Sequence, residues 1–185
     1  MRLQFFRKPR WFGAVLLAVL ATGNLGARDN APKTAEGDPY RLRFLQLHTG
    51  ERLDVVYRNG DAYDPDALAR VDHLLRDYRN GAVRSYDPRL LDVLHELMLA
   101  LGRPDAEIDV ICGYRTPHTN EYLRTHGHGV ARHSLHMQAM AIDIRIPGVP
   151  TADLRDAALR LGRGGVGYYA DSGFVHVDVG RVRRW

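Results

Sequence analysis

The chain has 185 residues, with 26 lysines and arginines against 22 acidic residues and a single cysteine. Four basic residues within residues 1–27, a stretch without acids, account for the formal net charge of +4. The remainder is neutral, which removes the electrostatic argument for nucleic-acid binding. A single cysteine also excludes an internal disulfide.

Residues 1–27 predict a secretory signal peptide. Basic residues precede an apolar run from Trp11 to Ala21 that is short for a membrane span, and small residues follow up to Ala27. We therefore expect export across the inner membrane to the periplasm, without stable membrane association after cleavage; an uncleaved anchor is the alternative. Residues 28–39 lack periodicity and predict a flexible spacer. Residues 40–185 suit one domain.

The first half of this domain predicts a hairpin followed by two helices. Two alternating runs flank the turn at residues 48–51, and Asn59-Gly60 marks a second turn. Apolar residues at helical spacing predict a helix from Pro65 to Tyr78. A second amphipathic helix begins at Asp87-Pro88 and stops at Gly102.

A strand over residues 107–112 follows and ends at Cys112. Cys112 lies in an apolar strand and is expected to be a small buried hydrophobe; a thiol nucleophile is the alternative. Arg115 comes next, at a strand-to-helix junction where side chains commonly point into a cleft, although a surface arginine paired with an acid fits equally well. Thr116 is expected to cap a helix that ends near Gly127.

Two later segments place titratable residues opposite aliphatic ones. Residues 141–146 and 174–179 alternate strictly, so Asp143 lies on the polar face of the first strand and His176 and Asp178 lie on that of the second. His136 precedes the first strand by a short loop. Each residue alone fits a solvated or satisfied polar group, but together they favour a metal site, because catalytic zinc takes three protein ligands and keeps a position for water.

The segment Ser134-Leu-His-Met-Gln-Ala-Met-Ala-Ile-Asp143 resembles the S-x-H-x-x-G-x-A-x-D motif of the zinc D-Ala-D-Ala peptidases and their hedgehog-like relatives. The chain is most similar to the MepK-type murein endopeptidases of Gram-negative bacteria. This resemblance runs from Leu42 to Trp185 and includes Gly113-Tyr-Arg-Thr116, Gly164-Gly-Val-Gly-Tyr-Tyr169 and Phe174-Val-His-Val-Asp178.

The resemblance implies an α+β fold of the hedgehog and D-Ala-D-Ala peptidase type, with a central antiparallel sheet and helices packed on one side. It also implies one zinc ion held by His136, Asp143 and His176, and Arg115 as the arginine that steadies the substrate or the oxyanion. The motif glycine is Ala139 here, which is harmless if the turn needs no positive φ. The glutamate that some relatives carry three residues before the last histidine ligand is Gly173, which leaves the general base open.

Asp178 is the chemical substitute for that glutamate, either as the base or as a group that orients a ligand. By resemblance, the expected activity is that of an endopeptidase, which hydrolyses stem-peptide crosslinks of peptidoglycan that involve diaminopimelate. Carboxypeptidase trimming is the second expectation. Two alternatives remain. One is a catalytically silent, zinc-stabilised module that binds cell-wall peptide, and the other is a thiol hydrolase that uses Cys112.

Overall fold

A computed structural model describes residues 39–127 and 129–185, so the predicted signal peptide and nearly all of the spacer lie outside the described residues. The fold is α+β, with eight strands and four helices. The strands are β1 (Pro39–Gln46), β2 (Arg52–Asn59), β3 (Ala62–Tyr63), β4 (Glu107–Cys112), β5 (Ala141–Arg145), β6 (Gly165–Tyr169), β7 (Phe174–Asp178) and β8 (Arg183–Arg184). The helices are α1 (Pro65–Leu74), α2 (Arg89–Ala100), α3 (Pro117–His126) and α4 (Thr151–Leu161). Within the described ranges, no helix is long and apolar enough to cross a bilayer.

The strands form one mixed sheet in the order β3-β2-β1-β4-β5-β7-β6-β8. The expectation of an antiparallel sheet is wrong for two pairs, because β1 runs parallel to β4 and β6 runs parallel to β8. The long crossover through α1 and α2 allows the first of these, since parallel neighbours need a connection longer than a hairpin. The parallel pairing of β6 with β8 arises because the chain, after β7, crosses to the edge of β6 that β7 does not occupy and pairs there as β8.

The hydrophobic core lies between the aliphatic face of this sheet and helices α1, α2 and α4. The alternation in β5 and β7 sends Ile142, Ile144, Val175 and Val177 into that core. Their polar neighbours therefore face the other side. Burial of this aliphatic set fixes the register, because a slip of one residue would exchange the two faces.

Helix α1 ends at Leu74, four residues before the predicted end at Tyr78. The reason is Asp77, whose fully buried carboxylate accepts hydrogen bonds from the backbone and hydroxyl of Thr116 at 2.9 and 3.0 Å. This contact pulls the chain out of helical geometry and anchors the start of α3. Helix α3 begins as predicted, with Thr116 accepting a hydrogen bond from Thr119.

A β-bulge in β4 changes the face on which Cys112 lies. Val110 pairs with Ile144, and the register then shifts so that Cys112 pairs with Asp143. The extra residue of the bulge reverses the alternation. The prediction that Cys112 is buried with the aliphatic residues is therefore wrong: it is half-buried and is the cross-strand neighbour of Asp143.

Candidate metal centre

His136 lies in a single turn of 3-10 helix over Leu135–Gln138, where a loop was expected. The Ser134 hydroxyl accepts a hydrogen bond from the His136 amide and fixes the start of the turn. Ala139 ends it with φ of 54°, the left-handed conformation that favours glycine. The condition under which Ala139 would be harmless is thus not met, and the cost of the alanine is about 1 kcal/mol.

Strand pairing brings the other two expected ligands together. Asp143 on β5 is the register partner of His176 on β7, on the face opposite the core. Asp143 Oδ1 lies 2.8 Å from His176 Nδ1 and 3.2 Å from His136 Nε2, and the two ring nitrogens are 3.1 Å apart. Three ligands of a tetrahedral zinc ion are about 3.3 Å apart. The triangle formed by these atoms is close to that size.

Each histidine has one ring nitrogen outside the triangle, Nδ1 in His136 and Nε2 in His176. The hydrogen bond made by that nitrogen determines the tautomer, and therefore which lone pair points into the triangle. His136 Nδ1 lies 2.7 Å from the carbonyl oxygen of Gly113, which can only accept, so this nitrogen carries the proton. His176 Nε2 lies 3.2 Å from the Asp178 carboxylate and is its donor by the same argument. In the neutral rings, two nitrogen lone pairs and one carboxylate oxygen therefore converge. Such a donor set fits a divalent cation, with zinc first among them.

The charges of the site also favour a cation. Burial lowers the pKa of His136, but the adjacent Asp143 carboxylate and Cys112 together outweigh burial, and the net direction is upward. Burial raises the pKa of Asp143, while His136 and His176 bring it well below its usual range. These buried groups are 1%, 8% and 6% exposed for His136, Asp143 and His176, so little solvent screens them. A positive charge at the centre is thus stabilised, whether a proton or a metal carries it.

Cys112 is the fourth titratable side chain near this point. Its sulfur lies within 4.8 Å of the ligand atoms of His136 and Asp143. A thiol beside a histidine is the pair of groups that a thiol hydrolase would use as nucleophile and base. However, both nitrogens of His136 already have partners, since one faces Gly113 and the other faces Asp143 and His176.

The Asp178 carboxylate is fully buried behind His176. Besides His176, it accepts hydrogen bonds from the amides of Gly165 and Gly180, both at 2.9 Å, and from the guanidinium of Arg183 at 2.6 and 3.1 Å. A side chain at Gly165 would clash, since an added Cβ would lie 2.4 Å from the carboxylate. Burial raises the pKa of Asp178, but these donors lower it far below its usual range. The group is ionised and its oxygens are occupied.

A cavity of about 690 Å³ opens beside the triangle. One wall is the segment from Gly129 to Leu135, and the other is the β6–β7 hairpin with the last strand of the sheet. Arg115 lines the cavity and is 9% exposed. One of its terminal nitrogens donates to the Ser134 hydroxyl at 3.1 Å, while its buried Nε has no partner. Among residues 39–127 and 129–185, Arg115 has no acidic partner, so the interpretation as a paired surface arginine is wrong.

Sequence reasoning missed two residues that line this cavity, Arg183 and Trp185. Arg183 holds Asp178, and the Trp185 ring lies 5.1 Å from the His176 ring, centre to centre. Neither position stands in a recognisable motif. The glycines at 164, 165 and 167 were the available indication, because strand glycines often mark a close approach of another chain segment.

Comparisons with known proteins identify relatives along most of the chain. Residues 34–185 match a family described as peptidoglycan L,D-endopeptidase MepK. The chain is 39% identical over 181 residues to a probable peptidoglycan L,D-endopeptidase MepK of Haemophilus influenzae, covering 96% of the chain and 95% of that protein. It is 41% identical over 147 residues to the peptidoglycan L,D-endopeptidases MepK of Escherichia coli K12 and of Shigella flexneri, with 80% of each protein covered.

Proposed function

Because the chain belongs to the MepK family of peptidoglycan L,D-endopeptidases, we propose that it hydrolyses amide bonds in the stem-peptide crosslinks of peptidoglycan. The crosslinks are those that involve diaminopimelate, and the compartment is the periplasm. The observation that carries this proposal is the convergence of His136, Asp143 and His176 at the edge of an open cavity. The mixed sheet with helices on one side supports a fold of the D-Ala-D-Ala peptidase and hedgehog type.

In the proposed mechanism His136, Asp143 and His176 would hold one zinc ion. Such an ion would supply a Lewis acid, which lowers the pKa of a bound water towards neutrality and polarises a carbonyl. Arg115 is a buried cation that has no acidic partner in the part of the chain that the structure describes, and it lines the same cavity. Its free donors are available to a substrate carboxylate or to the oxyanion that develops on the carbonyl.

Asp178 acts as a positioning residue in this proposal. Its oxygens are occupied by donors and Asp178 does not line the cavity, so the carboxylate keeps His176 in the tautomer and orientation that would ligate through Nδ1. The base role is assigned instead to His133. Among the described residues that line the cavity, His133 is the histidine outside the ligand set, and it is exposed.

We expect Asp178→Asn to lower the zinc affinity by about 10- to 100-fold, because the orienting acceptor of His176 is weakened. Competition with a chromophoric chelator measures this affinity directly. His133→Ala should instead keep the zinc affinity and slow turnover at saturating zinc. Asp171→Asn, an exposed carboxylate on the same hairpin, serves as the control and should change neither quantity. Unchanged zinc affinity together with slow turnover in Asp178→Asn would return the base role to Asp178.

The function itself is tested by digesting purified sacculi and separating the muropeptides. We expect crosslinked dimers to be lost, a chelator to prevent the loss, and added zinc to restore it. Release of single terminal residues from monomers would indicate a carboxypeptidase. An unchanged profile with zinc bound to the protein would indicate a module that only binds cell-wall peptide.

The Cys112→Ala variant separates the metal mechanism from a thiol mechanism in the same digestion. We expect this variant to cleave as the parent chain does, because no step of the proposed mechanism uses the sulfur. Loss of cleavage in Cys112→Ala with zinc still bound would favour the thiol hydrolase.

A further inference from the structure

Trp185 occupies an unusual position for a large apolar side chain, next to the ligand triangle and half in solvent. Its ring lies 5.1 Å from the His176 ring, and 49% of the residue is exposed. It lines the same cavity as Arg115. The exposed part of the indole is therefore presented to whatever occupies that cavity.

The fold holds this indole rigidly. The backbone of Trp185 is bonded to β6 on both sides, donating to Val166 at 3.3 Å and accepting from Tyr168 at 3.1 Å. The indole Nε1 donates to the hydroxyl of Tyr169 at 3.0 Å. The Arg183 guanidinium lies 4.9 Å from the ring centre. A side chain fixed by backbone, hydrogen-bond and cation contacts has little rotamer freedom left to lose on binding a ligand.

Gly167 makes the position possible. It is the register partner of His176, and an added Cβ there would lie 2.6 to 2.8 Å from three atoms of the indole. Any side chain at this position would push the ring away from the ligand triangle. Because Gly167 has no side chain, the Trp185 ring can lie close to His176.

The surroundings indicate what the indole would contact. Tyr169 stacks on Phe174 with ring centres 4.5 Å apart, and both line the cavity with Trp185. Among the described residues, Arg115 supplies an unpaired positive charge at this cavity, whereas the charge of Arg183 is balanced by Asp178. An aromatic wall near one unpaired guanidinium group suits a group that is aliphatic along its length and carries a carboxylate. A diaminopimelyl residue, with methylenes between two charged centres, has that chemistry.

We propose that Trp185 is a substrate-binding residue, whose indole packs on the aliphatic arm of the diaminopimelyl residue beside the scissile amide. This inference rests on the proposed function and adds a specificity-determining contact to it. Because the contact is made with an unreacting part of the substrate, its energy appears in binding rather than in the chemical step.

The kinetic test uses the full chain and purified L,D-crosslinked muropeptide dimers. We expect Trp185→Ala to raise KM about tenfold with kcat within about twofold and zinc affinity unchanged, and Trp185→Phe to recover part of the loss. Gly167→Ala keeps the indole but displaces it, and should raise KM in the same way. Val182→Ala, an exposed apolar residue of the same segment outside the cavity, is the control. Unchanged KM in Trp185→Ala overturns the inference.

Fluorescence gives a second test that does not depend on turnover. The chain has two tryptophans, so in Trp11→Phe the emission comes from Trp185 alone. We expect muropeptide dimers added to the metal-free protein to change this emission saturably, and no saturable change would overturn the contact. If the dimers change the emission but the zinc-loaded parent chain does not cleave them, the proposed function fails while the binding role stands.

Discussion

His136→Ala and His176→Ala are each expected to lose the metal and the peptidase activity together. Either change leaves two ligands of the three, and the remaining pair cannot hold the ion in an open tetrahedral site. Without the ion, Arg115 and His133 would lack the Lewis acid that polarises the carbonyl and lowers the pKa of the attacking water. We expect a fall in kcat/KM of more than about 10⁴-fold, since metal catalysis carries most of the rate enhancement in such enzymes.

The loss of metal is measured as the zinc content of the protein after gel filtration. The loss of activity is measured on the same sample as the release of muropeptides from sacculi. His73→Ala is the matched control, because His73 is an exposed histidine of α1 remote from the ligand set, and it should retain both. Thermal unfolding of the metal-free proteins checks that the variants fold. Full zinc occupancy in both ligand variants would falsify the ligand assignment.

Arg115→Ala is expected to lower kcat/KM by about 10²- to 10³-fold with zinc content unchanged, the magnitude usual for loss of a transition-state donor. The guanidinium is buried, its Nε has no partner, and its charge has no acidic neighbour among the described residues. A buried, unpaired guanidinium lowers the stability of the folded protein, because desolvation of an unpaired charge is unfavourable. Binding of an anionic group from the substrate would relieve that cost.

The kinetic constants distinguish the two roles of Arg115. A rise in KM indicates a contact with a substrate carboxylate, whereas a fall in kcat indicates a contact that forms with the oxyanion. Arg115→Lys keeps the charge but loses the fork of donors, so it should recover little of the activity. Arg132→Ala is the control, because Arg132 is an exposed arginine of the Gly129–Leu135 segment that does not itself line the cavity. Unchanged kcat/KM in Arg115→Ala would remove Arg115 from the mechanism.

The parts of the site that could be predicted are those encoded by strand alternation. Asp143 and His176 stand opposite aliphatic residues in two strictly alternating strands, so the face on which each lies follows from the sequence. Their register pairing does not follow, because it depends on tertiary burial of the opposite face. The short loop before β5 allows His136 to fold over the same face, and the resemblance implies that the three residues form one ligand set.

The failures have physical causes that a single sequence does not display. Cys112 continues the alternation of β4, and the bulge that reverses it is a tertiary feature of the β4–β5 pair. Tyr78 continues the apolar spacing of α1, but the buried Asp77 ends the helix by bonding to Thr116, thirty-nine residues away in the chain. The parallel pairing of β1 with β4 likewise depends on the path of the crossover, which local propensity does not determine.

The spacing of the ligands along the chain has a consequence for the order in which the protein folds. Asp143 and His176 are 33 residues apart, and helix α4 and strand β6 lie between them. The unfolded chain therefore offers only His136 and Asp143, seven residues apart, as a local pair. The complete ligand set exists only after that loop has closed and β5 has paired with β7. In the proposed site, zinc would therefore bind only after this part of the sheet has assembled, and it would lengthen the lifetime of the folded protein rather than affect how folding begins.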